Sequence, residues 1–182
     1  SAIQIGELLR VTANDSVYLV PGNAPRELGL GKLDLLAALT EQKPAIRMID
    51  ITTVNLAGQA NVQGGDTVLL TADFINHLFP STGQFEARMV LNSPYATVLE
   101  PDVTLGRLQT GEIKSNRARP FIFTIAENVP PNTRLRFRFD FSDRNYNDFQ
   151  YYELLVNPSI ITLDENRITT AVASNGRLGF EN

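Results

Sequence analysis

The spacing of apolar residues changes near residue 46 of the chain. Before that point it is close to helical, with Ile3, Ile5, Leu8, Leu9 and Val11 on one side and charged residues on the other. The pattern predicts a helix over residues 3–14 and a second short helix over residues 33–40. The intervening residues 16–27 contain Pro-Gly-Asn and a further proline, so they predict a loop.

Beyond residue 46 the apolar residues occupy every second position, which is the period of a β-strand with one buried face. The clearest case is residues 134–141, where Leu135, Phe137, Phe139 and Phe141 alternate with Arg134, Arg136, Arg138 and Asp140. Further strands are predicted at 47–54, 68–74, 85–91, 121–125 and 148–156. Short strands separated by Gly, Pro and Asn turns are typical of an antiparallel sandwich.

The predicted fold class is therefore mainly β, an immunoglobulin-like antiparallel β-sandwich with a short N-terminal helical segment. A β-barrel is the main alternative. Three regions follow from the pattern: a helical segment at 1–45, the sandwich at 46–158, and a strand-rich start of a further module at 159–182. In the last region strands are expected at 160–163 and 167–172, followed by a turn at 175–177.

Composition narrows the classes of function. The 182 residues carry a net charge of -4, so a broad basic surface for nucleic acid is not expected. No stretch is long and apolar enough to span a bilayer. The chain has no Cys, which excludes disulfides and thiolate sites, and its single His, His77, excludes a His-rich metal site.

Two segments carry a resemblance to a known family. Residues 4–13, QIGELLRVTA, followed by LGLGKLD at 28–34 and Ala37-Ala38-Leu39, resemble the end of subtilisin-like serine peptidase domains. Residues 65–76, GDTVLLTADFIN, and the aromatic strands at 134–156 are similar to immunoglobulin-like modules that follow such peptidases in secreted bacterial proteins. The resemblance implies that the Gly29-Leu30-Gly31 turn marks the end of a catalytic domain.

The resemblance implies what the chain does and where. Residues 1–45 would be the truncated C-terminal tail of a peptidase domain, and the missing peptidase domain of the same polypeptide would be the main partner. The family's Gly-Thr-Ser-Met-Ala nucleophile motif and its Asp and His motifs are absent from the sequence. The expectation is a non-catalytic, secreted or cell-surface accessory fragment that spaces, stabilises or orients a serine endopeptidase.

Other classes of function stay open. The sandwich could bind a glycan through Phe79, Tyr95, Tyr146 and Tyr151, or a peptide along an exposed strand edge. An independent hydrolase would have to use His77 as its base, with Ser81 close in sequence. The arginine row at 134–138 is expected to be a solvated strand face paired with acids across the strands.

One segment concentrates oxygen ligands. Residues 140–148 contain Asp140, Asp143, Asn145 and Asp148, which are candidate calcium ligands, because Ca²⁺ favours six to eight oxygens. The order of an EF-hand loop is missing, and Asx residues also build ordinary turns. No other cofactor is expected.

The apolar sides of the two short helices must also be covered. Helices of this length do not persist alone in water. We expect Ile5, Leu8, Leu9, Leu35, Leu36 and Leu39 to pack against each other and against the sandwich or a neighbouring chain.

Overall fold

The N-terminal helices lie close to where the pattern predicts them. The structure is a computed structural model that describes residues 1–22, 29–144, 146–165, 168–173 and 178–181. Helix α1, Ala2–Val11, begins with a capping box in which the Ser1 side chain accepts from the Gln4 N–H. Helix α2, Leu35–Thr40, begins where Asp34 accepts from the Ala37 N–H at 2.9 Å. Between them, the predicted loop includes a short 3-10 helix, Asp15–Leu19.

Nine strands follow, and the six that the alternation predicts are all present. The strands are β1 Ile46–Asn55, β2 Thr67–Asn76, β3 Phe85–Leu91, β4 Ala96–Glu100, β5 Asp102–Gly106, β6 Ile113–Ser115, β7 Phe121–Ile125, β8 Thr133–Asp143 and β9 Tyr146–Val156. The sequence pattern missed β4, β5 and β6. These strands are short and bury few side chains, so they show no clean two-residue period.

The nine strands form two antiparallel sheets. One sheet has the order β1-β2-β7-β4, with β6 also paired to β2, and the other has the order β5-β3-β8-β9. The first sheet thus combines β1, β2 and β4 with the later strand β7, and the second combines β3 and β5 with β8 and β9. This division of the strands is typical of immunoglobulin-like sandwiches. The predicted fold class is confirmed.

The core lies between the two sheets and consists largely of phenylalanines. Phe121 and Phe123 of the first sheet meet Phe139 and Phe137 of the second, with ring centroids 5.1 and 4.9 Å apart. All four side chains are fully buried. Burying one such ring contributes about 1.5–3 kcal/mol, so this layer is the main source of stability.

The last part of the chain forms a separate three-stranded antiparallel sheet. It consists of β10 Ile160–Glu165, β11 Ile168–Ala173 and β12 Leu178–Glu181 in that order. The strands predicted at 160–163 and 167–172 are thus confirmed, apart from Arg167. That residue and the predicted turn at 175–177 lie outside the described residues.

A close backbone approach explains one of the two turn glycines. The backbone N–H and C=O of Asn14 bond to the C=O and N–H of Lys32 at 2.7 and 2.8 Å. Gly31 has a φ of 126°, and a Cβ atom there would lie 2.1 Å from the Asn14 carbonyl oxygen. Only glycine fits, so Gly31 lets the chain fold back onto the end of α1.

The expected burial of the helical apolar residues is largely wrong. Leu8 packs against the sandwich core and Leu9 is half-buried. The other four face solvent, with exposed fractions of 62% for Ile5, 61% for Leu35, 72% for Leu36 and 85% for Leu39. The reason is that α1 contacts the sandwich through Leu8, Val11 and its charged side chains, while α2 buries only Ala38.

We call the exposed residues of this region the N-terminal apolar set. They share an exposed fraction above one half and all lie between residues 3 and 39; they are Ile3, Ile5, Leu19, Val20, Leu33, Leu35, Leu36 and Leu39. Patches of exposed apolar side chains are uncommon on the surfaces of monomeric soluble proteins and are typical of interaction sites.

Candidate functional site: the junction of the first helix with the sandwich

A ring of side-chain hydrogen bonds joins α1 to both sheets. It runs from Arg47 to Ile46, and the peptide bond between these two neighbours completes it. Starting from β1, Arg47 Nε donates to Glu7 Oε1 at 3.0 Å. Glu7 Oε2 accepts from Arg10 Nε and Nη2 at 2.9 and 2.6 Å. Arg10 Nη1 in turn donates to Asp148 Oδ1 at 2.5 Å. Tyr146 closes the ring, because its hydroxyl donates to Asp148 Oδ2 at 2.8 Å and accepts from the Ile46 N–H at 2.9 Å. We call these residues the junction ring.

Local structure explains why these side chains meet. Glu7 and Arg10 are three residues apart, which places them on the same side of a helix. Tyr146 and Asp148 are two residues apart on β9, so both point to the inner face, where Asp148 lies opposite Phe141. Ile46 and Arg47 are neighbours at the start of β1. Each element thus supplies two adjacent members of the ring.

The ring is electrically balanced and largely withdrawn from water. Its two carboxylates face two guanidinium groups, and the side-chain exposures are 0% for Asp148, 14% for Glu7, 21% for Arg10 and 28% for Arg47. A buried pair of this kind adds little net stability over an apolar pair, but removing one partner leaves an unpaired buried charge. The ring therefore fixes geometry more than it adds stability.

The surroundings shift the ionisation of three ring members. Burial alone would raise the pKa of Glu7, but hydrogen bonds and charges from Arg10 and Arg47 outweigh it and lower the pKa. Burial would lower the pKa of Arg10, yet Asp148 and Glu7 raise it. Burial, followed by the charge of Asp148, raises the pKa of Tyr146 well above its ordinary value. The surroundings therefore favour the charged forms of Glu7 and Arg10 and the neutral form of Tyr146.

Side chains of β9 also form hydrogen bonds with the backbone of β1 in the other sheet. The Tyr146 hydroxyl bonds the backbone of Ile46, and the Gln150 amide donates to the Met48 C=O and accepts from its N–H, both at 3.0 Å. The start of β1 is an edge whose backbone groups would otherwise lack partners. The junction ring is therefore continuous with the seam that joins β1 to β9.

A cleft of about 530 Å³ lies beside the ring. Its walls come from the end of α1 and the 3-10 helix, from α2, and from β9, and they include Tyr18, Asp34, Lys43, Asp148 and Phe149. The polar groups on these walls are engaged within the protein: Asp34 caps α2, and Lys43 pairs with Glu41 at 2.5 Å. Among the described residues no buried side-chain nitrogen or oxygen lacks a hydrogen-bond partner.

The strand period places the described calcium candidates on two different faces of their sheet. Asp143 and Asp148 point to the inner face, where Asp143 accepts from the Thr82 N–H at 2.5 Å and from the Thr82 hydroxyl. Asp140 points to the outer face and pairs with Arg138 at 2.9 Å. Asn145 lies outside the described residues. Within the described part of the chain no three His, Cys, Asp or Glu side chains converge. Calcium binding stays a prediction that the structure does not test.

The other candidate residues also have defined places. Ser81 is buried and its hydroxyl accepts from the Leu108 N–H at 2.8 Å, while His77 contributes backbone bonds to Ala45 and Gln4. Tyr146 is 2% exposed, so it belongs to the core and not to a sugar-binding surface. Tyr151 is 39% exposed and lies under Arg136, whose guanidinium carbon is 4.1 Å from the ring centroid.

The expected pairing of the arginine row on β8 with acids across the strands holds for only one of its three arginines. Arg138 bonds Asp140 on the same strand, and Arg134 approaches Glu153 of β9 at 3.9 Å with both side chains exposed. Arg136 stacks on Tyr151 instead of meeting an acid. This face of the sandwich is a solvated surface with balanced charge.

Sequence analysis did not single out Glu7, Arg10 or Arg47, and it took Asp148 for a metal ligand. Arg10 and Asp148 are 138 positions apart, so no local pattern links them. One signal was available, because Asp148 occupies an inner-facing position of an alternating strand, where a carboxylate needs a cationic partner.

Within the described residues no helix is long and apolar enough to cross a membrane. No protein-family model and no curated protein sequence matches the chain.

Proposed function

We propose that this chain is a non-catalytic accessory part of a secreted subtilisin-like serine endopeptidase. In this proposal, residues 1–45 complete the peptidase domain, and the sandwich is held against that domain in one orientation. The observation that carries the proposal is that the N-terminal segment is attached to the sandwich and still leaves many apolar residues uncovered. The junction ring, Leu8 and Val11 attach α1, whereas the residues of the N-terminal apolar set are exposed.

The contacts of α1 suit a connecting element. Leu8, Val11 and the Glu7–Arg10 pair contact the sandwich, whereas Ile3 and Ile5 are each 62% exposed. A helix that is bound to one body and still carries exposed apolar residues can contact a second body and fix the two relative to each other. The peptidase domain would cover the N-terminal apolar set, and the ring would transmit that position to both sheets.

The exposed leucines of α2 also support a partner that packs on this segment. It has six residues, and isolated helices of that length do not persist in water. Leu35, Leu36 and Leu39 are nevertheless turned toward solvent. Covering one such leucine contributes about 1.5–3 kcal/mol, so a partner over this side would stabilise α2 as well as bind it.

The decisive experiment on parentage is to sequence the reading frame upstream of Ser1. A Gly-Thr-Ser-Met-Ala motif within a few tens of residues, with the family's Asp and His motifs further upstream, is the expected result. An upstream frame without these motifs overturns the proposal. In parallel, the 182-residue chain is expected to show no peptidase activity, and activity that disappears in a His77→Ala variant would instead favour the independent hydrolase.

A second candidate function is glycan binding by the sandwich, which the exposed Tyr151 favours. Its ring is backed by Phe149 at 5.5 Å and by Arg136, so it is held in place on the outer face of β9. Rigid exposed aromatic rings can stack on sugars at low entropic cost. Calorimetric titration with a panel of oligosaccharides tests this function. Binding that Tyr151→Ala abolishes supports it, and no heat with any sugar rejects it.

A further inference from the structure

The junction ring ties three elements together through ionised side chains, and it is the main polar attachment of α1. Besides the ring, α1 contacts the sandwich core through Leu8 and Val11 and donates one hydrogen bond from Gln4 to the His77 carbonyl at 3.2 Å. The phenylalanine pairs Phe121–Phe139 and Phe123–Phe137 join the two sheets directly, while Val11 and Leu8 contribute only two side chains to the same core. The attachment of α1 can therefore fail while the sandwich stays folded.

We propose that the junction ring is an acid-sensitive clasp, which holds α1 on the sandwich at neutral pH and releases it on acidification before the sandwich unfolds. The inference goes beyond the accessory role proposed above and does not need it. It predicts a conformational change in this chain alone, from a docked helix to a released segment.

The charges around Glu7 determine how acid affects docking of α1. Glu7 faces Arg10 on its own helix and Arg47 on β1. Arg10 also faces Asp148 on β9, which accepts a hydrogen bond from the neutral hydroxyl of Tyr146. Protonating Glu7 leaves two guanidinium groups with one carboxylate in a largely buried site. Two like charges without their counterion repel each other and cannot recover full hydration, so docking is weakened.

The lowered pKa of Glu7 determines whether docking gains or loses stability as the pH falls. A carboxyl group that binds its proton less readily when docked stabilises docking above its ordinary value of 4.5, and this contribution is lost as the pH falls through the lower docked value. The release is therefore expected below pH 4.5 and not near neutrality. Because the ring is partly accessible to ions, added salt should shift the release to higher pH.

Amide hydrogen exchange resolved by NMR tests the clasp in the intact 182-residue chain. The amide of Thr12, which donates to the Leu8 carbonyl at 3.2 Å, reports on α1, and the amide of Phe137 reports on the sandwich. After correction for intrinsic pH dependence, the protection of Thr12 is expected to fall below pH 4.5 while that of Phe137 persists. Equal loss of protection at both amides at every pH would overturn the inference.

A matched pair of variants separates the clasp from general acid sensitivity. Glu7→Gln keeps the shape of the side chain but removes the charge, so Thr12 should exchange roughly ten- to a hundredfold faster at pH 7 and respond less to acid. Asp102→Asn removes one partner of the exposed Arg88–Asp102 pair, which is 3.4 Å long, and should leave both amides unchanged. An unchanged Thr12 amide in Glu7→Gln would reject the clasp.

Discussion

The N-terminal segment and the sandwich both have periodic apolar patterns, but the sandwich buries its apolar residues, whereas the N-terminal segment leaves most of its own exposed. In β8 the alternating residues Leu135, Phe137, Phe139 and Phe141 are all buried. In α1 and α2 the apolar residues Ile5, Leu35, Leu36 and Leu39 are mostly exposed, and the charged Glu7 and Arg10 face the sandwich. The difference teaches that periodicity predicts an element and its two faces, but not which face the rest of the chain will cover.

Truncating one apolar residue in each region should give the largest difference in the free energy of unfolding. Phe137→Ala should lower the free energy of unfolding by about 3–5 kcal/mol, because it leaves a cavity between the sheets. Leu36→Ala, at a side chain that is 72% exposed, should change it by less than about 0.5 kcal/mol. Urea unfolding followed by circular dichroism measures both. A loss at Leu36 that equals the loss at Phe137 would show that α2 is packed after all.

Charge removal at the junction ring should have the next largest effect. Asp148→Ala leaves Arg10 beside a cavity with half of its neutralising charge, so the loss of stability is expected to be about 3–5 kcal/mol. The surface variant Asp102→Asn should cost at most about 1 kcal/mol. Thermal unfolding of the two variants checks the difference. Equal melting temperatures would contradict the assignment of Asp148 to a buried ion pair.

Alanine at the two turn glycines compares two positions within the N-terminal segment. Both glycines have a positive φ, so each substitution strains the backbone by roughly 1–3 kcal/mol. At Gly31 the new Cβ would also meet the Asn14 carbonyl, whereas at Gly29 no atom lies within 4 Å. Gly31→Ala alone should therefore break the Asn14–Lys32 pairing, which amide exchange of Lys32 would reveal. Similar exchange in both variants would show that the close approach is not required.

The fold could largely be predicted from the sequence because the sandwich is built from long strands with one buried face. The edge strands β4 and β5 escaped prediction because edge positions are half-exposed and lack the two-residue period. The junction ring escaped because its charged residues come from distant parts of the chain. Asp148 could have been identified as inward-facing because it shares the two-residue alternation of Tyr152, Leu154 and Val156, but its partner Arg10 could not.

Polar substitution of the exposed leucines should have the smallest effect on the isolated chain. Leu36→Gln and Leu39→Gln together should leave the free energy of unfolding within about 0.5 kcal/mol of the unmodified protein. They should reduce the binding of a hydrophobic dye, since fewer apolar side chains remain on the surface. Dye fluorescence at equal protein concentration measures this. Unchanged fluorescence would mean that the N-terminal apolar set is not an accessible surface.

The central claim is that a peptidase domain covers the N-terminal apolar set, and it is tested most directly by hydrogen–deuterium exchange of residues 33–40. The measurement compares the 182-residue chain with a longer polypeptide in which the proposed peptidase domain precedes Ser1. The account predicts strong protection of α2 in the longer polypeptide and rapid exchange in the chain alone, with the core strand β8 equally protected in both. Rapid exchange of α2 in both proteins would contradict the claim.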